Sequence, residues 1–113
     1  MSYPFNGIRN RFGRTASATA LTGTAWTKPS PSGQMRSGVE IRNPDASLSI
    51  WGRGVARGAS TPTAPSGIAT DADFAIAPGA SLFLAWSDSI DIYLCNSSGA
   101  STTSGYVMSE VGY

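Results

Sequence analysis

The stretch that most constrains this chain is Ala77 to Cys95, reading APGASLFLAWSDSIDIYLC. Pro78-Gly79 is a turn dipeptide, because proline presets φ at the first corner and glycine supplies the positive φ that a type II turn requires next. Leu82 to Trp86 follows as an apolar run of strand length, apolar on both parities, until Ser87-Asp88-Ser89 interrupts it. Ile90, Ile92 and Leu94 then resume on one parity, with Asp91, Tyr93 and Cys95 on the other. Two short runs around a polar break read as a hairpin, placing both strands at the centre of a small all-β domain. Leu82, Leu84, Trp86, Ile90, Ile92 and Leu94 are its expected core. A one-residue slip would turn Asp91 inward and Ile92 out, so the pattern fixes the register.

The rest of the chain reads as more of the same. Val39-Glu40-Ile41-Arg42 alternates cleanly, with Val39 and Ile41 inward. Asn43-Pro44-Asp45 turns the chain, and Leu48 to Trp51 is expected to return as its hairpin partner, with Trp51 exposed or under a loop. The Thr/Ala-rich segment 15–27 suggests two short edge strands, Ala18–Leu21 and Thr24–Thr27, separated by Gly23. Gly52 to Asp73 loses periodicity, and its glycines, prolines and two arginines, Arg53 and Arg57, predict a long loop, a length that usually carries function. Asn96 to Gly105 is a polar loop, and Tyr106 to Val111 the last strand. At 113 residues, the chain is expected to form a single antiparallel β-sandwich, jelly-roll-like, over 15–113.

Met1 to Arg14 stands apart as an expected extended N-terminal arm. Tyr3, Phe5 and Phe12 are spaced among Asn, Gly and the three arginines Arg9, Arg11 and Arg14, and Pro4, Gly7 and Gly13 oppose helix or strand. The arm and the Gly52–Asp73 loop are the expected partner-binding parts, through Tyr3, Phe5, Arg9, Arg11, Phe12, Arg14, Arg53 and Arg57. A nucleic-acid contact through Arg9, Arg11, Arg14, Arg53 and Arg57 is a weaker reading, since the arm has three arginines and no lysine run. The charge is low at 13%, and all eight basic residues lie at or before Arg57, so the two halves carry opposite net charge. Such asymmetry favours contact between neighbouring molecules, unless the fold interleaves the halves.

Chemistry is sparse. The chain has no histidine, so an acyl-transfer triad lacks its base. A Ser-Lys variant would rest on Lys28 alone. The single cysteine, Cys95, excludes an internal disulfide and reads as a buried apolar thiol. The spacings Asp71-Ala-Asp73 and Asp88-x-x-Asp91 are too thin for a calcium loop. No enzyme activity, metal or cofactor is expected. No stretch is apolar enough to span a membrane, and the first residues lack the apolar core of a signal peptide, so the chain is expected to be made in cytoplasm.

The order of parts VEIRNPDASLSIWG, a variable loop, FAIAPGASLFLAWSDSIDIYLCNSSG and YVMSEVG resembles a small β-sandwich domain of tailed-bacteriophage virion proteins. The shared parts are Val39–Asn43, Ile50–Gly52, Ile76–Leu82, Asp91–Leu94, Ser98–Gly99 and Tyr106–Val111; the arm and the long loop lie outside the pattern. The resemblance implies a capsid decoration or cement protein on the capsid surface, bound to the major capsid protein or other virion subunits. It also implies a homo-oligomer, with a trimer favoured. A head-tail or tail accessory protein is the near alternative. A carbohydrate-binding module using Trp26, Trp51 and Tyr93 as ring platforms is the distant one.

Overall fold

The computed structural model describes residues 15–16, 20–29, 36–63 and 72–112. The strands are β1 (Thr15–Ala16), β2 (Arg36–Arg42), β3 (Ile50–Ala56), β4 (Phe74–Ile76), β5 (Ser81–Leu84), β6 (Ile90–Asn96) and β7 (Val107–Gly112). They form two antiparallel sheets, β1-β7-β2-β5 and β4-β3-β6, and the chain is an all-β sandwich. Between the sheets lie Leu21, Val39, Ile41, Ile50, Ile76, Ile92, Leu94, Tyr106 and Met108, all nearly or fully buried. Leu82, Leu84 and Trp86 pack against this core from the side, and Ile90 is half-buried.

Both expected hairpins are corrected. β2 and β3 do not pair with each other, nor do β5 and β6: β2 pairs with β5 and β7, whereas β3 pairs with β4 and β6. The connections 43–49 and 85–89 therefore carry the chain across the core from one sheet to the other. Each strand of these expected hairpins overlaps an observed one, with Leu48–Trp51 shifted to Ile50–Ala56 and Leu82–Trp86 to Ser81–Leu84, but local alternation fixes which side chains face inward and not which strand lies alongside. β5 and β6 consequently each end a sheet and do not lie at its centre.

Two buried asparagines tie down one end of the sandwich. Asn43 donates from Nδ2 to the carbonyls of Leu48 (2.8 Å), Ile76 (3.1 Å) and Ala77 (3.3 Å), and its Oδ1 accepts from the Asp45 amide. Asn96 donates to the Leu21 and Thr102 carbonyls at 2.9 and 2.8 Å, and accepts from the Ser98 amide and hydroxyl. A side-chain amide offers donors and an acceptor in one group, so each asparagine gathers carbonyls that the irregular turns leave without ladder partners. The Pro78-Gly79 turn closes as expected, with Gly79 at φ 76° and an Ala80 to Ala77 backbone bond of 3.0 Å.

The expected loop from Gly52 is also corrected: β3 runs on through Ala56, and Arg53 lies in a strand. Gly52 and Gly54 are not loop-formers. The Phe74 ring lies directly over Gly52, and a Cβ on Gly54 would come within 2.7 Å of the Trp86 ring. Phe74 and Trp86 themselves meet edge to face, centroids 5.7 Å apart. Glycine is needed there because the rings take the volume of the missing side chains. Of the two expected strands of the Thr/Ala segment, the described residues show only single bridges, Leu21 to Ser104 from the first and Thr27 to Leu94 from the second.

Candidate interaction surface

Arg53 and Arg57, the two proposed contact residues within the described part, belong to the outer face of the β4-β3-β6 sheet. On β3 the outward parity is Trp51, Arg53 and Val55, set opposite Cys95, Tyr93 and Asp91 on β6. Segment 20–29 runs along the edge of β6, bonded to Leu94 through Thr27 by paired backbone bonds of 2.8 Å. It lays Trp26 on Tyr93 and Cys95, and Trp51, Val55 and Ala72 complete a second apolar cluster. This explains why β6 is buried on both sides: its inward parity meets the core, and its outward parity meets Trp26.

The electrostatics of this face are local pairs. Lys28 Nζ lies 3.3 Å from Asp91 Oδ2, which also accepts from the Gly58 amide at 3.0 Å. Burial pushes the Asp91 carboxyl up, but the Gly58 amide and Lys28, with Arg57 beyond them, outweigh it and hold the group below its ordinary value of 3.8. Arg57 reaches Asp88 at 3.7 Å, and its amide donates to the Ser89 carbonyl, pinning the end of β3 to the turn before β6. Half-exposed Arg53 makes no ion pair among the described residues. Arg53 and Arg57 thus share one face, but only Arg53 keeps its charge uncommitted within that part. Tyr3, Phe5, Arg9, Arg11, Phe12 and Arg14 lie outside the described residues.

The ring platforms expected of a carbohydrate-binding face are mostly covered. Trp26 and Tyr93 are 6% and 5% exposed, too buried to stack on a sugar. Trp51 is half-buried and lines a cleft of about 260 Å³ with Ala72, Asp73, Phe74 and Ala75. Its indole N–H and that of Trp26 are buried without hydrogen-bond partners among the described residues. No protein family, curated protein or solved structure matches this chain. Among the described residues no cluster of His, Cys, Asp and Glu could hold a metal ion.

Sequence reasoning missed two features. One is Arg36, which lies before the alternation that begins at Val39 and is buried: its Nη1 meets Glu110 Oε2 at 3.1 Å, and it donates to the carbonyls of Trp86, Ser87 and Ile90. The other is Phe83, 57% exposed on the outer face of the other sheet. The signal for Phe83 was present in the sequence: it has the parity opposite Leu82 and Leu84, which face the core.

Proposed function

We propose that this chain is a bacteriophage virion structural protein, a decoration or cement protein that binds assembled heads and performs no reaction. The observation that carries the reading is the sequence run that resembles such virion domains, whose conspicuous residues have architectural work in this fold. Asn43 gathers the turn carbonyls, Gly52 seats an aromatic ring, Pro78-Gly79 delivers the chain to an edge strand, and Ser98-Gly99 closes the turn gathered by Asn96. In this reading the major capsid protein or another virion subunit is the partner. Met1–Arg14 and the Arg53 face make the contact, and the protein stabilises the shell by binding the assembled state alone. Purified heads lacking this protein provide the test. The full chain is expected to bind them, and the chain without Met1–Arg14 to remain folded but not bind. Equal occupancy by both would contradict the proposed contact, and binding to isolated tails or connectors in place of heads would assign the accessory role.

A further inference from the structure

The edge of the β1-β7-β2-β5 sheet carries an inference independent of the virion reading. The Asn43 amide donates to the Ala80 carbonyl at 2.9 Å, in register with Ile41 opposite Leu82 and Val39 opposite Leu84. Antiparallel residues alternate between bonded and non-bonded pairs. Leu82 and Leu84 therefore turn their backbone groups toward β2, while Ser81, Phe83 and Ala85 turn theirs toward the open side. An open row of this kind is a template for another strand unless it is short, charged, bulged or covered. The other edges have such protection: β1 is two residues long, β4 is three with Pro78 just beyond, and β6 is bridged by Thr27. β5 and its continuation, SLFLAW, contain no charge and no proline.

Phe83 does not block the edge. Its ring leans back over Gly38, where an added Cβ would lie 2.5 Å from Cζ, so the ring covers the chain's own sheet, and no described residue bonds the outward side of β5. The outward sequence is also self-complementary: Ser81 and Ala85, both small and exposed, flank Phe83 at equal distance.

We propose that β5 pairs antiparallel with β5 of a second copy, about a two-fold axis at Phe83. Phe83 then exchanges both backbone bonds with Phe83 of the second copy, Ser81 lies opposite Ala85, and the two sheets become one. Charge does not oppose this. Glu40 is the cross-strand neighbour of Phe83, and the two copies of Glu40 would lie three strand spacings apart, about 14 Å, beyond the ~8 Å screening length. The contact is isologous and closes as a dimer.

Sedimentation equilibrium of the full chain, with Phe83→Lys and Phe83→Glu variants, tests this. The wild type is expected to form dimers that dissociate on dilution. Each variant alone is expected to be monomeric with an unchanged circular dichroism spectrum, and an equimolar mixture to regain dimer, because Lys and Glu would meet across the axis. A wild type that stays monomeric at hundreds of micromolar, a trimer indifferent to both substitutions, or a mixture that stays monomeric would each overturn the proposal. So would protection of the Phe83 amide from hydrogen exchange only when a different protein is added, which would assign the edge to a foreign strand.

Discussion

Arg36 and Glu110, 74 residues apart in sequence, form an ion pair at 3.1 Å with side chains only 4% and 2% exposed. The same guanidinium bonds the Trp86, Ser87 and Ile90 carbonyls, so one side chain fastens β2, β7 and the crossing between β5 and β6. Removing one partner of a buried pair costs far more than replacing both, since the remaining charge stays in a low-dielectric site. Arg36→Ala is expected to lose about 3–5 kcal/mol in urea unfolding. The double variant Arg36→Met/Glu110→Leu should lose clearly less. Equal losses would show that the carbonyl bonds, not the charge pair, dominate.

Asn43 makes a separate knot. Asn43→Ala removes the donors serving Leu48, Ile76 and Ala77, and is expected to cost about 1–3 kcal/mol. Asn43→Asp should cost more, because a carboxylate would face the same three carbonyls. Denaturation midpoints ordered wild type, Ala, Asp bear this out; Asp above Ala would contradict it.

Gly52 is expected to tolerate no side chain. Gly52→Ala forces Phe74 off its seat and disturbs its edge contact with Trp86, an overpacking cost of about 1–3 kcal/mol. Loss of near-ultraviolet circular dichroism intensity with retained strand signal would report it. Gly58→Ala, which meets no neighbour but occupies φ 83°, should instead show the smaller cost of backbone strain alone.

Asp91 gives the fold a dependence on acid. Its carboxyl is held below the ordinary 3.8, so the folded state binds its proton less readily than the unfolded state does. The stabilisation is therefore present above the ordinary carboxylate range and is lost as pH falls through the lowered value. Wild-type stability is expected to fall more between pH 5 and 2, values spanning the roughly 3.9 of a free aspartate, than that of Asp91→Asn. Parallel curves would contradict the Lys28 and Gly58 account.

Cys95 is fully buried, and burial pushes its thiol up to about 11. A thiol reagent at pH 8 is expected to leave the native chain unlabelled and to react fully once denaturant is added. Rapid native labelling would mean that the Trp26 cover opens.

How much of this was legible in the residues differs by feature. Inward and outward parity along Val39–Arg42 and Ile90–Cys95 could be read from the alternation, but not the burial of the outward residues of β6, which Trp26 covers from a distant segment. Strand pairing could not: Asn43-Pro44-Asp45 and Ser87-Asp88-Ser89 look the same whether they close a hairpin or cross between sheets. Gly52 and Gly54 looked like loop residues because their role depends on Phe74 and Trp86, which are distant in sequence. Arg36 was hidden for a related reason, since its charge is answered by Glu110, 74 positions later. Of the candidate contact residues, Arg53 and Arg57 were singled out as charges in a glycine- and proline-rich stretch, but only the fold shows that Asp88 already engages Arg57.

The central proposal is that this sandwich is a repeated piece of a larger particle. The most direct measurement is the mass and subunit composition of the native assembly that contains the chain, isolated from the cells that make it. The account expects a particle of capsid size with many copies of this chain, associated with a major capsid protein. Recovery solely as a free monomer, or in a small complex without capsid protein, would contradict it.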